Sequence, residues 1–365
     1  LARIGEIVSP SGQERERARA VAERMREIGL EDVAVDSIYN AVGTIPGETD
    51  SALVFVSTLD DLATVAEHQR AREGGLRISG DSVVGPGSNT SSTTAAILAA
   101  AEAIQSSGWS PRHDLVFAAV AQEEVGLNGM RVVHDRLQQR AVAFVDVLGD
   151  GRSISYGALG IRWRRVVASG PAGHTLGGGL PNVNLGIARA VDGILQLGSN
   201  PDGSDRNAVT VNVAMLRSGE VFNHKPESGW FSVDFRSRDG AKLDEAEKEI
   251  GRVLAAVTEE TGIRFTREVV TNIPAGQIDG LGASDLVTTS AAIARHLGLE
   301  PSTRNSGSAN LNIAIAAGTP AIGLGGSRGG RRGFEDEWAD VDAMMRSARH
   351  VVLLAATMGG LERAR

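Results

Sequence analysis

Three short and almost uninterrupted apolar runs, at residues 52–56, 115–120 and 141–145, constrain this chain more than any other feature. A strand that is apolar at every position has no face to give to water, so it must be covered on both sides. A helical segment at 94–106 lies between the first two runs, and this alternation predicts an α/β sheet sandwiched between helices. Ser11-Gly12-Gln13-Glu14 reads as a capping box that opens a helix with Val21, Met25 and Ile28 on one face and a stop at Gly29. The pattern then changes. Residues 162–168, 209–216 and 229–236 alternate as half-exposed strands, with helices expected at 184–197 and 243–260. Beyond residue 269 the first pattern returns, with helices at 284–297, 309–317 and 341–358 and a strand at 320–324. The chain therefore divides into an α/β domain built from 1–159 and 269–365, with an α+β layer, 160–268, inserted into it.

A length of 365 residues agrees with two domains rather than one core. With 42% hydrophobic and 22% charged residues, the chain has the composition of a globular protein and not of a disordered one. A net charge of −8, without a basic helix or an aromatic-rich basic patch, argues against nucleic acid as a partner. Cysteine is absent, which excludes disulfides, thiolate metal sites and a cysteine nucleophile from this sequence. No apolar run approaches the roughly 20 residues of a membrane span, so no membrane partner is expected. The start, Leu1-Ala2-Arg3-Ile4-Gly5-Glu6, does not read as a signal peptide, Leu1 implies that the native start is absent, and a cytoplasmic location is expected.

The chemistry concentrates at Gln122-Glu123-Glu124-Val125-Gly126-Leu127, which follows the buried run at 115–120. Paired carboxylates at a strand end suit a division of labour, one holding a cation while the other moves a proton. Without a cation they repel, and at least one is pushed towards neutrality, where it becomes a proton carrier. A hydroxyl-rich run at 88–94 follows the turn Gly85-Pro86-Gly87 and reads as an N-cap in preference to an anion site, since the lysine of a phosphate-binding loop is missing. The basic loop 325–333 reads as solvated or as a source of positive charge, with Arg331 and Arg332 as the candidate charge partners of the glutamate pair.

Several segments, in order and spacing, resemble the co-catalytic zinc peptidases and amidohydrolases that include carboxypeptidase G, aminoacylase and tripeptidase T. They are Val8-Ser9-Pro10-Ser11-Gly12, Gly85-Pro86-Gly87, Gln122 to Leu127, Gly170-Pro171-Ala172-Gly173-His174, Asn223 with Pro226, Asp234-Phe235-Arg236 and Gly318-Thr319-Pro320. The resemblance implies a zinc-peptidase-like three-layer α/β catalytic domain with an inserted α+β lid that mediates dimerisation. It makes Glu123 the general base and His174 a group that polarises the substrate carbonyl of the other subunit. Arg304, Asn223 and Asn310 fall at substrate-binding positions, while Arg236 reads equally as a structural ion pair.

Of the implied metal ligands, Glu124 and Asp146 are retained, together with Asp60, which orients a ligand. Thr58, Thr90 (or Asn89) and Gly333 stand where the family has other ligands. None of the seven histidines falls in a ligand position. Threonine hydroxyls are poor zinc donors, so no resident zinc is expected, with a hard divalent cation at Glu124, Asp146 and Asp60 as the second option. The function expected is acid/base chemistry without metal on a small carboxylate-bearing amide or peptide-like substrate, by a homodimer joined through its lid. The alternatives are a conventional metal-dependent peptidase or deacylase with relocated ligands, and a non-catalytic small-acid-binding or dimeric interaction protein.

Overall fold

The computed structural model describes residues 1–198 and 209–363, in two compact units: Leu1–Ala158 with Gln277–Arg365, and Leu159–Gly276. The three apolar runs lie in the strands Thr49–Thr58, His113–Val120 and Ala141–Val147, which pair in parallel at the centre of an eight-stranded sheet. Ala321–Gly325 adds a fourth parallel strand beside Ala141–Val147. Antiparallel strands Glu31–Val35 and Ala41–Ile45 close one side, and the short strands Ser153–Ser155 and Ser302–Arg304 close the other.

Alternate residues of each central strand serve opposite faces. Leu53, Phe55, Leu115, Phe117 and Val145 join one buried cluster with Val21 and Met25 of helix Arg15–Ile28, Ile97 of helix Ser88–Ser107 and Val351 of helix Val341–Met358. Helices Asn128–Leu137 and Leu311–Ala316 pack on the same strands, with the His134 ring 5.5 Å from that of Phe144. Each fully buried Leu, Val or Phe contributes about 1.5–3 kcal/mol by leaving water, and here the residues that do so are the ones that made the runs continuous.

The second unit is a five-stranded antiparallel sheet in which Gly160–Ser169 pairs with Ser228–Ser237 and Arg264–Ile273. Helices Val183–Leu195 and Gly240–Thr261 cover one face through Ile187, Ile194, Ile250 and Leu254. Strand Arg264–Ile273 runs past residue 268, so the boundary expected there falls inside a strand and the unit extends to Gly276. The expected strand at 209–216 is broken into Thr210–Asn212 and Leu216–Ser218, and residue 208 before it lies outside the described residues. Among the described residues no helix is long and apolar enough to cross a membrane.

The expected capping box does not form. The helix Arg15–Ile28 starts with no side-chain cap, because Ser11 donates to Asp60 and the Glu14 carboxylate accepts from the N–H groups of Gly12 and Gln122. Tertiary partners have taken both capping side chains. The hydroxyl run fares likewise: helix Ser88–Ser107 begins six residues earlier than expected and has no side-chain cap. Its N-terminus is met instead by Glu337, whose carboxylate accepts from Gly87 N, Asn89 N and Gly333 N at 3.0–3.1 Å. The positive end of the helix thus already holds an anion, supplied from 248 residues along the chain.

Candidate functional site

The glutamate pair sits where strand His113–Val120 ends, and its backbone is held residue by residue. Ala121 N donates to Asn40 Oδ1 at 2.9 Å, Gln122 N to Glu14 Oε1 at 3.0 Å, Glu123 N to Asp60 Oδ1 at 2.8 Å and Glu124 N to Asp60 Oδ2 at 3.1 Å. Four successive N–H groups that leave the sheet ladder are thereby paired with three side chains, as buried donors require. The clamp also holds Gln122 at φ 57°, a left-handed conformation unusual for a residue with a side chain. Asp60 is fully buried and accepts from Ser11 Oγ at 2.6 Å as well; burial pushes its pKa up, against these hydrogen bonds.

Asp146, at the end of strand Ala141–Val147, is also buried and faces the start of helix Leu311–Ala316. It accepts from Leu311 N at 3.2 Å and Asn310 Nδ2 at 3.3 Å. The same amide group of Asn310 reaches Thr58 Oγ1 at 3.4 Å. Asn310 is fully buried, so its donors serve Asp146 and Thr58. Thr90 is buried too, and its Oγ1 has no hydrogen-bond partner among the described residues. Gly333 contributes its N–H to Glu337, not a side chain.

The arginine loop divides into three roles. Arg332 is ion-paired with Glu124. Arg331, the other candidate, does not enter: it is exposed, bonds Asp336 at 3.0 Å and stacks over Phe334. That expectation is corrected, and the physical reason is local, since a carboxylate and a ring five and three residues away capture the guanidinium before the cluster can. Arg328, which carried no assignment from the motifs, is subject to the charges of Glu123, Glu337, Asp146 and Asp61; burial lowers its pKa while these carboxylates raise it.

Glu123 is raised to about 7, first by burial, then by Asp60 and Asp146, with Arg332 and Arg328 acting in the opposite direction. Burial likewise raises Asp146 to about 7, opposed by its bonds to Asn310 and Leu311. Among the described residues no hydrogen bond reaches the Glu123 carboxylate, whereas Glu124, Asp60, Asp146 and Glu337 are each engaged. Oxygen donors for a cation are therefore present, but no group of three or more His, Asp or Glu side chains among the described residues is arranged to hold one. Histidines with hydrogen-bond partners serve other places: His134 meets Thr319, His350 meets Ser290 and His113 meets Ser51.

The remaining candidates have partners of their own. Arg304 lies on the exposed strand Ser302–Arg304 and donates to Ser153 Oγ. In the second unit His174 and Asn223 come together: the Asn223 amide is 3.2 Å from His174 Nε2 and 3.0 Å from His224 Nδ1, and the two rings lie edge to face at 5.3 Å. All three side chains are exposed. Arg236 is paired with Asp234, the structural alternative. Glu14, Asn40, Glu337 and Arg328 were missed as site residues. Only Arg328 carried a signal, because glycines crowd both sides of it.

Comparison with known proteins agrees with this architecture. The model of peptidase family M20/M25/M40 matches residues 79–357. Succinyl-diaminopimelate desuccinylase of Corynebacterium glutamicum is 24% identical over 332 residues, covering 88% of this chain and 86% of the relative. A tripeptidase from Staphylococcus aureus superposes with a TM-score of 0.81 at 19% identity, covering 97% of this chain and 95% of the other. YXEP of Bacillus subtilis, described as a dinuclear metal binding peptidase from the M20 family, superposes with a TM-score of 0.72 at 14% identity, covering 98% and 96%. The chain belongs to peptidase family M20/M25/M40.

Proposed function

We propose that this protein is a peptidase or amidohydrolase relative that acts on a small carboxylate-bearing amide or peptide-like molecule by proton transfer at Glu123, without a zinc pair. One observation carries the reading: the Glu123 carboxylate is free of hydrogen bonds among the described residues, in a site whose other carboxylates are engaged. A proton-transfer group must come within hydrogen-bond reach of the substrate proton, and a carboxylate without a partner in the protein has both oxygens available for that. The donor set does not fit zinc. Thr58 and Thr90 offer neutral hydroxyls, Gly333 offers no side chain, and Arg332 holds the Glu124 carboxylate. The substrate class is supported by the desuccinylase relative, whose name describes removal of a succinyl group from diaminopimelate. In this reading Arg304 and Asn223 bind the substrate, and a homodimer formed through the inserted unit lets His174 serve the opposite subunit.

A second reading, a binding protein without turnover, draws on the same engaged carboxylates. One experiment separates the two. The purified protein is screened for amine release from N-succinyl and N-acetyl amino acids and from tripeptides, beside Glu123→Gln. Turnover that Glu123→Gln abolishes while substrate still binds supports the enzyme. Binding with no turnover in either protein refutes it in favour of the second reading.

A further inference from the structure

The loop 325–333 is built to aim an arginine, and its glycines show how. Ser327 N donates to Asp150 Oδ1 at 3.1 Å, Asp150 N returns a bond to Ser327 O at 3.1 Å, and Gly151 N reaches Gly325 O at 3.0 Å. On the far side, Asp340 N donates to Arg328 O at 3.1 Å, and Gly329 and Gly330 pair with strand Trp338–Asp340. Gly326 and Gly329 both adopt φ 128°, which side chains rarely reach. A Cβ at Gly326 would strike Asp150 Oδ1, and one at Gly329 would strike the Trp338 carbonyl. The backbone of Arg328 is thus held on both flanks with no room for side chains at the neighbouring glycines, and its guanidinium lies within the electrostatic reach of Glu123, Glu337, Asp146 and Asp61. Four residues on, Arg332 closes on Glu124.

We propose that Arg328 and Arg332 are the built-in replacement for the paired cations of a dinuclear relative, a protein-supplied charge that makes this site independent of metal. Charge balance motivates it. Glu123, Glu124, Asp60, Asp146 and Glu337 crowd one region, and without cations such carboxylates repel. A guanidinium keeps its charge over the ordinary pH range, so it can supply permanently the positive charge that a metal supplies when bound. The engaged oxygens point the same way: Arg332 takes Glu124, Asn310 and Leu311 take Asp146, and the backbone takes Asp60 and Glu337. A metal entering here would displace an arginine and several hydrogen bonds before gaining its own ligands.

The inference shares with the proposed function the absence of a zinc pair but not its turnover, so a protein without turnover leaves it intact, whereas stoichiometric zinc would sink both. The test uses the whole chain purified without chelator. Metal analysis of the wild type is expected to find zinc well below one equivalent, with a melting temperature unmoved by EDTA or by added zinc chloride. The double variant Arg328→Met, Arg332→Met leaves the carboxylates uncompensated. It is expected to melt about 5 °C or more below wild type and to regain part of that loss in millimolar magnesium or calcium chloride, which the wild type ignores. If the double variant does not fold, Arg332→Gln, at the partly exposed pair, takes its place in the same comparison. Stoichiometric zinc in the wild type, a fall in its melting temperature with EDTA, or a variant as stable as wild type and indifferent to cations would each overturn the proposal.

Discussion

Asp60→Asn is the substitution that interrogates the clamp on the glutamate loop most directly. The native carboxylate accepts three bonds: from Glu123 N on one oxygen, and from Glu124 N and Ser11 Oγ on the other. Asparagine fills the same space but offers one oxygen and an NH2 group. Placing that oxygen opposite Glu124 N and Ser11 keeps two bonds and turns the NH2 against the N–H of Glu123. One charge-assisted bond, about 1.5–3 kcal/mol, is lost, and a donor left unpaired in a buried position costs about 1–3 kcal/mol. Part of this sum is one loss counted from two sides, and removal of a buried charge offsets more of it, since burial already disfavours the ionised form of Asp60. A net destabilisation of about 1–3 kcal/mol remains. Urea unfolding followed by tryptophan fluorescence measures it, with Trp109 and Trp338 reporting from the same unit. The midpoint should fall with the slope preserved, and Ser11→Ala, which deletes only one bond to the same carboxylate, should lie between the variant and wild type. A shift within about 0.5 kcal/mol, the range of ordinary surface changes, would show that the glutamate loop holds its shape without this carboxylate.

Two further predictions concern groups whose burial is nearly complete. Arg17 and Asp61 form an ion pair at 2.6 Å with side chains 1% and 0% exposed, so Arg17→Met should cost about 3–5 kcal/mol by stranding the carboxylate; adding Asp61→Leu should recover part of the loss in chemical denaturation, and no recovery would refute the assignment. His350 is fully buried against Ser290, and burial lowers its pKa to about 4, whereas the unfolded chain titrates near 6.5. Its folded pKa is depressed, so only the unfolded state gains this proton between those values. Relative to His350→Gln, the wild type should therefore lose about 3 kcal/mol as pH falls from 7 to 4. Parallel stability curves for the two proteins over that range would contradict the burial argument.

The metal question shows where local reading stops. Glu123 and Glu124 were recognisable because a carboxylate pair after a buried strand is a short-range pattern. The partner of Glu124 could be narrowed only to Arg331 or Arg332, because its arginine lies 208 residues away. Two arginines in the loop looked equivalent, yet Arg331 is captured by Asp336 and Phe334 while Arg332 crosses to Glu124. Arg328 looked like part of a solvated, glycine-rich loop. Its flanking glycines proved to be positions where a side chain has no room, which is the opposite of slack.

What the sequence determined by itself was the layering. Continuous apolar strands have to be covered on both faces, alternating strands on one, and these demands act through neighbours a few residues apart. The same short range made the helix start at Ser11 misleading, since a capping side chain can be claimed by a tertiary acceptor of greater strength. Tertiary structure decided which partner each polar group would meet. Asp60 went to the backbone of the glutamate loop, Glu337 to a helix start, Asp146 to Asn310 and Leu311, and Arg332 to Glu124. Apolar burial depends on pattern, which a chain carries along its length; hydrogen bonds and charge pairs depend on distance in space, which exists only once the chain has folded.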